Sequence, residues 1–271
     1  MKHARSEPDL SLFFHIPFGY LLSDAGQPAW ERRENLELYL PASDLDRYGS
    51  GDYAEVAKRL KDQRREITVH GPFMDLMPGS PDPQIRKVAL NRFTQLFKAC
   101  SALKPRNIVL HIGYEAIKHK EFFDYWLQNS LLTWREVEAQ AADLGLSVSL
   151  ENIFETDSGP MRRLLDELNS PLFGWCLDVG HFQLFSQEPL AAWLDGLGRY
   201  LVEMHLHDNH GAADEHLSPG EGCFDFPALA RLLEQRGLQP PYYTLEVHST
   251  AKLDAGIAAI KEYFRKNRKS R

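Results

Sequence analysis

Short runs rich in aliphatic and β-branched residues alternate with longer segments of helical periodicity along the chain. The short runs have the length and composition of buried strands. There are eight: Ser11–Pro17, Asn35–Leu40, Ile67–His70, Asn107–His111, Ser147–Glu151, Phe173–Asp178, Leu201–His205 and Tyr243–Val247. Between them, segments such as Ile85–Leu103, Phe122–Leu144 and Phe226–Arg236 place apolar side chains near one helical face. The pattern predicts strands and helices in regular alternation.

Alternation of this kind predicts a parallel sheet, and eight strand–helix units predict its closure into a (β/α)8 TIM barrel. An open doubly wound sheet is the alternative, but it usually has a glycine-rich phosphate loop after its first strand. Here the first strand continues as His15-Ile16-Pro17-Phe18-Gly19-Tyr20, which is not such a loop. We therefore expect an α/β protein with a single barrel domain over residues 1–271.

Length and composition agree with one barrel, because the chain has 271 residues and a TIM barrel needs about 250. The net charge of −7 gives no general attraction to nucleic acid, although it leaves a local basic groove open. Cys100, Cys176 and Cys223 form no CxxC pair, which is typical of reduced, cytoplasmic proteins. The sequence shows neither a signal-peptide pattern nor a membrane-spanning apolar stretch. We expect a cytoplasmic protein without membrane contact, and the oligomeric state is not predicted.

Residues that can ligate metals stand at the ends of six consecutive predicted strands. They are His70, His111, Glu151, Asp178, His205 and Glu246. A single histidine at such a position is more often a hydrogen-bonded core residue, and a single carboxylate is more often a helix cap. In a barrel, however, the C-terminal ends of all strands converge on one mouth, and buried charges require partners. Six such residues in order therefore predict a divalent-metal site.

Three further candidate ligands flank these strand ends. His181 lies just after the sixth strand, and Asp214 and His216 lie in the segment after the seventh. Their spacing alone is a weak signal. Gly220 and Gly222 in the same segment fit a loop whose backbone lies close to a ligand, although an ordinary turn would use glycine too.

Taken in order, these residues resemble those of the xylose-isomerase-like barrels, a superfamily that includes sugar isomerases and epimerases and also endonuclease IV (AP endonuclease family 2). The resemblance spans the third to the eighth strand, about two thirds of the chain. It rests on Val69-His70-Gly71-Pro72, Leu110-His111-Ile112-Gly113, Leu150-Glu151-Asn152, Leu177-Asp178-Val179-Gly180-His181, Met204-His205-Leu206-His207-Asp208, Asp214 through Gly222, and Leu245-Glu246.

The resemblance implies two designs of metal site. In the isomerases and epimerases one ion is held by four residues, which here are Glu151, Asp178, His205 and Glu246. Endonuclease IV holds three zinc ions with five more ligands, which here are His70, His111, His181, Asp214 and His216. Because all nine residues are present, the resemblance implies between one and three ions of Zn²⁺, Mn²⁺ or Mg²⁺.

The first functional hypothesis is a metal-dependent isomerase or epimerase acting on a small sugar, a sugar phosphate or a related polyol or keto compound. The ion would polarise adjacent carbonyl and hydroxyl oxygens, while Glu151 and Glu246 would take and return the proton on carbon. His181, His207 and His248 would orient substrate hydroxyls. For His207 and His248, a supporting contact to a metal ligand is an equal alternative.

The second hypothesis is an endonuclease IV-like zinc phosphodiesterase with two or three metal ions. Five histidines among the nine ligands suit zinc better than magnesium. Against it, the first strand reads His15-Ile16-Pro17-Phe18 where endonuclease IV has His-Val-Ser, and Gly26–Arg33 shows no evident DNA-binding loop. A small-molecule substrate is therefore favoured over nucleic acid. A barrel that only binds a metal or a small ligand is the third interpretation. Glu37 on the second strand has two interpretations, a rim residue with a substrate role and a structural hydrogen-bonding residue, of which the second is favoured.

Overall fold

Eight parallel strands close into a barrel in the order in which they follow one another along the chain. The structure, a computed structural model, describes residues 10–247 and 252–266. The strands are β1 (Leu12–Pro17), β2 (Asn35–Tyr39), β3 (Ile67–His70), β4 (Ile108–His111), β5 (Val148–Glu151), β6 (Phe173–Asp178), β7 (Leu201–Leu206) and β8 (Tyr242–Leu245). Each strand pairs in parallel with the next, and β8 pairs with β1. The predicted TIM barrel is confirmed.

The observed ends of the last two strands correct the predicted ones. β7 runs one residue further than predicted, to Leu206, whereas β8 ends at Leu245. Glu246, predicted inside the eighth strand, therefore lies just beyond it. Its backbone N–H reaches the Leu206 carbonyl oxygen only at 3.4 Å, which is long for a sheet hydrogen bond. The chain leaves the sheet here, and the Glu246 carboxylate turns over the barrel mouth.

Helices alternate with the strands and cover the outside of the barrel. They are α1 (Phe18–Leu21), α2 (Gln27–Glu31), α3 (Ala42–Arg47), α4 (Ser50–Asp62), α5 (Pro83–Leu103), α6 (Ala116–His119), α7 (Phe123–Leu144), α8 (Gly159–Leu168), α9 (Val179–Phe185), α10 (Leu190–Leu197), α11 (Phe226–Arg236) and α12 (Leu253–Lys266). Asp82 and Asp225 cap α5 and α11 by accepting backbone N–H bonds of 2.8 and 2.7 Å. Among the described helices, none combines the length and apolar character needed to cross a membrane.

An apolar layer between the strands and the helices fixes the positions of the strand ends. Every residue of β3, β4, β5 and β6 is buried, as expected for parallel strands covered on both faces. Trp134 of α7, Trp175 of β6 and Trp193 of α10 are fully enclosed in this layer. Cys100, Cys176 and Cys223 form no disulfide.

A layer of polar side chains, the polar floor, fills the barrel interior below the strand ends. It comprises Thr68, Asn107, Ser149, Glu203 and Thr244, all 0% exposed. The Asn107 amide donates to Glu203 at 2.7 Å and to Ser149 at 2.8 Å, and the Thr244 hydroxyl donates to Glu203 at 2.6 Å. Burial raises the pKa of Glu203 to about 7. Glu203 and His205 are two residues apart on β7, so both side chains point into the barrel, one above the other.

Candidate metal centre

Four of the predicted ligands meet at the mouth of the barrel and form what we call the inner site. They are Glu151, Asp178, His205 and Glu246, and each offers a ligand atom within 4.8 Å of the other three. Three of them lie on consecutive strands, and the fourth follows β8. All four are buried, with the largest exposed fraction being 8% at Glu246.

The orientation of His205 leaves one ring nitrogen facing the carboxylates of the inner site. Its Nε2 lies 3.2 Å from a carboxylate oxygen of Glu37, so Nε2–H donates there and Nδ1 is the nitrogen that would bind an ion. A histidine that donates to a carboxylate in this way has the tautomer and the ring orientation of a metal ligand. Nδ1 faces Glu246 Oε2 at 3.2 Å, Glu151 Oε2 at 3.3 Å and Asp178 Oδ2 at 3.8 Å.

Two buried atoms at the centre of the inner site make no hydrogen bond with any described residue. They are His205 Nδ1 and Glu246 Oε2. A buried polar atom without a partner costs about 1–3 kcal/mol, and a cation between these two would satisfy both. Carboxylates suit Mg²⁺ and Mn²⁺, while imidazole suits Zn²⁺. The residues therefore fit a divalent ion, and their chemistry alone does not select which.

The two glutamates of the inner site are held in the ionised form. Burial alone would raise the pKa of Glu151, but His205 and His111 hold it well below its usual value. Burial acts in the same direction on Glu246, where His15 and His205 lower the pKa in turn. Both are therefore carboxylates at neutral pH, which is the state that binds metals and accepts protons.

A second group, the side site, extends the inner site toward β3 and β4. His70 donates from Nδ1 to the Gly71 carbonyl at 2.8 Å, and its Nε2 lies 3.1 Å from Glu151 Oε2. His111 Nε2 lies 3.3 Å from His70 Nε2 and 3.5 Å from the same carboxylate oxygen. Burial lowers the pKa of His111 to about 4, so this ring is neutral at pH 7. Two ring nitrogens and a carboxylate oxygen thus converge on one point.

A third group, the outer site, joins α9 to the loop between β7 and α11. Both His181 Nε2 and His216 Nε2 face Asp214 Oδ2, at 3.4 and 3.0 Å. The Nδ1 atoms of the two histidines contact backbone carbonyls, of Asn152 at 3.1 Å and of Glu246 at 2.8 Å. The fold therefore brings together all nine residues of the predicted set in three adjoining groups. The inner and side sites share Glu151, and the outer site meets the inner site where His216 contacts the Glu246 carbonyl.

The loop of residues 209–224 owes its shape to Asp208, which is fully buried at the end of β7. Its carboxylate accepts four backbone N–H bonds of 2.9–3.1 Å, from Asn209, Gly220, Gly222 and Phe224. A Cβ atom at Gly222 would lie 2.3 Å from the Asn209 carbonyl oxygen. Gly222 is thus required by close backbone packing, and Gly220 by its positive φ of 91°; the loop they form carries Asp214 and His216.

The structure places His207 inside the protein, below the surface of the mouth. Its side chain is 0% exposed, and its Nε2 lies 3.0 Å from both carboxylate oxygens of Asp178. A Cβ atom at Gly180 would lie 2.0 Å from this ring, so glycine is needed for the ring to fit. This geometry favours the alternative interpretation of His207, a contact to a metal ligand, over contact with substrate. His248 lies outside the described residues.

Three residues that the sequence did not assign to the site, His15, Tyr39 and Phe73, line the other half of the mouth, and the fully buried Glu37 contacts the first of them. His15 Nδ1 lies 3.0 Å from Glu37 Oε1 and 3.3 Å from Glu246 Oε1. Tyr39 stacks on the His15 ring, and Phe73 packs against His111 with ring centroids 4.9 Å apart. Glu37 makes the structural hydrogen bonds expected of it, although its partners are His15 and the metal-site residue His205. In the sequence, the positions of His15 and Tyr39 near the ends of β1 and β2 could have predicted that these side chains lie at the mouth.

Comparison with known proteins finds a matching family model and individual related proteins. A family model described as xylose isomerase-like TIM barrel matches residues 20–266. The uncharacterised protein MJ1311 of Methanocaldococcus jannaschii is 27% identical over 179 residues, 64% of this chain and 61% of that protein. The chain thus spans less than two thirds of that relative's length. Fructoselysine 3-epimerase of Escherichia coli O157:H7 is 38% identical over 60 residues, 22% of each chain.

Two solved structures share the fold over nearly the whole chain. A D-tagatose 3-epimerase-like protein has a TM-score of 0.80 at 22% identity and covers 94% of this chain and 98% of its own. The TTHB071 protein of Thermus thermophilus, soaked with ZnCl₂, has a TM-score of 0.74 at 24% identity, covering 93% and 99%. At these identities the likeness establishes the fold alone.

Proposed function

Because the chain belongs to the xylose isomerase-like TIM barrel family, we propose that it is a divalent-metal-dependent isomerase or epimerase acting on a small sugar, a sugar phosphate or a related polyol or keto compound. The observation that carries the proposal is the inner site, where His205 Nδ1 and Glu246 Oε2 lie buried and unpartnered among the described residues. The names of the relatives, fructoselysine 3-epimerase and a D-tagatose 3-epimerase-like protein, support this class of reaction.

Glu151 and Glu246 are the proposed acid and base groups. They come from β5 and from the end of β8, on different sides of the mouth, and lie 3.3 and 3.2 Å from His205 Nδ1. A divalent ion at the inner site would polarise the carbonyl and hydroxyl oxygens of the substrate. One carboxylate would remove the proton from carbon, and the other, after taking up a proton from solvent, would deliver it to the opposite face of that carbon. Inversion at that carbon requires two such groups on opposite faces.

Glu246 is the better placed of the two to act as the base. Glu151 already contacts His70, His111 and His205 through Oε2 and His181 through Oε1. Glu246 contacts His15 through Oε1, and its Oε2 has no hydrogen-bond partner among the described residues. The pKa of Glu246 is held well below its usual value by His15 and His205 against the effect of burial, so it is ionised at neutral pH, as a base must be.

The aromatic half of the mouth fits a small polyol. Tyr39, Phe73 and the His15 ring form a wall beside the carboxylates, with Tyr39 and Phe73 centroids 6.1 Å apart. Small-molecule sites typically combine such apolar walls with a few convergent polar groups. We therefore place the carbon chain of the substrate against this wall and its oxygens toward the inner site.

The test is solvent exchange at carbon. The purified protein, loaded in turn with Mn²⁺, Mg²⁺ or Zn²⁺, is incubated in D₂O with a panel that includes D-tagatose, D-fructose, D-psicose, their phosphates and fructoselysine. We expect a new epimer or isomer carrying deuterium at the inverted carbon, and loss of this product with a chelator. No deuterium incorporation into any panel member with any of the three metals would count against the proposal.

The side site favours one other candidate, a zinc phosphodiesterase related to endonuclease IV. His70 Nε2 and His111 Nε2 lie 3.3 Å apart beside Glu151, so two ions could share this carboxylate, as two-metal phosphodiesterases require. Incision of a duplex containing an abasic site, measured in zinc with and without chelator, decides this candidate. Intact duplex under zinc-replete conditions would eliminate it.

A further inference from the structure

One ring nitrogen of His207 has no role in the sites described so far. The side chain is 0% exposed, and its Nδ1 makes no hydrogen bond with any described residue. The other nitrogen, Nε2, lies 3.0 Å from Asp178, so Nε2–H donates to that carboxylate and Nδ1 carries a lone pair. Leaving a buried lone pair without a hydrogen-bond donor is costly. The groups that Nδ1 faces therefore indicate what this nitrogen binds.

Nδ1 of His207 points into the outer site. It lies 3.7 Å from Asp214 Oδ1, which is too far for a hydrogen bond. The His207 ring stacks on the His216 ring with centroids 4.1 Å apart and an interplanar angle of 6°. Ligand atoms of His207, Asp214 and His216 all lie within 4.8 Å of one another. Neighbouring ligands of a tetrahedral zinc ion are about 3.4 Å apart. Because the lone pairs of two parallel rings do not meet at one point, the His207 and His216 rings must turn relative to each other to share an ion.

The hydrogen bonds of the three outer histidines agree with ligation by all of them. His181 and His216 each donate from Nδ1 to a backbone carbonyl, at 3.1 and 2.8 Å, so Nε2, which faces Asp214 Oδ2, is the nitrogen that would bind an ion. His207 has the reverse arrangement, with Nε2 on Asp178 and Nδ1 turned toward Asp214. Each ring is thus fixed by a contact of the kind that orients metal-binding histidines.

We propose that His207 is the fourth protein ligand of a zinc ion held by His181, Asp214 and His216, and that this ion is structural. Three imidazoles and one carboxylate form a donor set that suits zinc. Four protein ligands complete a tetrahedron, and closed sites of this kind are structural, whereas catalytic zinc keeps a position open. The ion ties β7, α9 and the 209–224 loop together, and through Asp178 it supports the inner site.

A pair of glutamine variants tests the ligand role of His207 without any sugar. In His207→Gln the side-chain amide can keep the contact to Asp178 while the ligand nitrogen is lost. His210→Gln is the control, because His210 lies on the same loop, is 63% exposed and pairs with Glu215. Zinc content and affinity are measured by competition with a chelator. Wild type should bind an outer ion that His207→Gln weakens by at least roughly tenfold, the scale on which loss of even a supporting contact acts.

Equal zinc content and affinity in wild type and His207→Gln would overturn the proposal, and so would a wild type that binds only the inner ion. His210→Gln should match wild type. Because the readout is bound zinc, a failure here is distinct from a failure to turn over any sugar, which would count against the proposed function alone.

A crystal structure of the wild-type chain grown with Zn²⁺ gives a second measurement that does not depend on a variant folding. An anomalous peak should lie about 2.0–2.1 Å from His207 Nδ1, the usual length of a Zn–N bond. A peak bound to Asp214 and His216 with water in the place of His207 would show the site to be open and would refute the structural role.

Discussion

Two buried carboxylates in the same barrel are held in opposite ways, Glu203 in the polar floor and Glu246 in the inner site. Both oxygens of Glu203 accept hydrogen bonds, from Thr244 and Asn107, and burial raises its pKa to about 7. Glu246 is surrounded by histidines that hold its pKa well below the usual value, and its Oε2 has no hydrogen-bond partner among the described residues. Burial is similar, at 0% and 8% exposed. The neighbouring side chains of each carboxylate, and not its depth of burial, therefore decide whether it is a structural acid or a metal ligand and base.

The largest expected effect is the loss of turnover in Glu246→Gln compared with Glu203→Gln. An amide at 246 cannot carry the charge or accept the proton, so turnover should fall by about 10²–10⁴-fold, the usual contribution of a general base. At 203 an amide resembles the protonated acid and can keep its bonds to Asn107 and Thr244, so turnover should stay of the same order as in wild type. Deuterium exchange and metal content are measured on both proteins. Similar losses in the two variants would contradict the distinction.

The second effect is the dependence of stability on pH that Glu203 imposes. Its folded-state pKa, raised by burial to about 7, exceeds the unfolded value, so between these values the folded chain binds the proton that the unfolded chain has lost. The contribution is therefore complete below about pH 4 and falls as the pH rises toward 7. A shift of this size corresponds to about 3 kcal/mol.

Urea unfolding of metal-free wild type and Glu203→Gln at pH 5 and pH 7 measures this contribution. The free energy of unfolding of wild type should decrease relative to the variant between the two pH values, because the amide does not titrate. Comparing the two proteins removes the histidine titrations that they share. A constant difference between them across this range would show that Glu203 does not change its protonation on unfolding.

The sequence predicted the inner site better than the polar floor for a physical reason. Strand ends are recognisable from the hydrophobic pattern, so His70, Glu151 and Asp178 could be assigned to the mouth before their contacts were known. Asn107 and Glu203 stand within strands, and 96 positions separate these hydrogen-bonded partners. Pairings at such separations depend on the register of the closed barrel, which the hydrophobic pattern does not specify.

The loop after β7 was predictable only in part. Asp214 and His216 were assigned through their resemblance to a known ligand set, but Asp208 was not singled out. Its partners are four backbone N–H groups, and backbone groups leave no mark in a sequence except through the glycines that let them approach. The sequence left two roles open for His207, contact with substrate and contact with a metal ligand, because it does not reveal which ring nitrogen is hydrogen-bonded.

The third effect concerns Glu37, which lies at the level between the polar floor and the inner site and contacts the inner site through His205. Its Oε2 lies 3.2 Å from His205 Nε2 and fixes the tautomer that exposes Nδ1. In Glu37→Gln the amide can present either its oxygen or its NH₂ group, so this preference weakens. We expect metal affinity at the inner site to fall by about 10–100-fold. Glu66→Gln is the control, since the Glu66 side chain is 38% exposed, pairs with Arg106 and lies outside the metal site. Unchanged metal affinity in Glu37→Gln would show that Glu37 does not orient His205 for the metal and acts only as a buried structural residue, like those of the polar floor.

The smallest effect is expected at Ser149, whose hydroxyl accepts a bond of 2.8 Å from Asn107 at the bottom of the barrel. In Ser149→Ala the Asn107 amide keeps its 2.7 Å bond to Glu203, but its other buried N–H loses an acceptor, at a cost of about 1–3 kcal/mol. The melting temperature should fall by about 2–4 °C for each kcal/mol lost, while the metal content and the deuterium exchange rate stay at wild-type values. A loss of metal in this variant would mean that the floor sets the geometry of the ligands above it, and the two layers would then act as one unit.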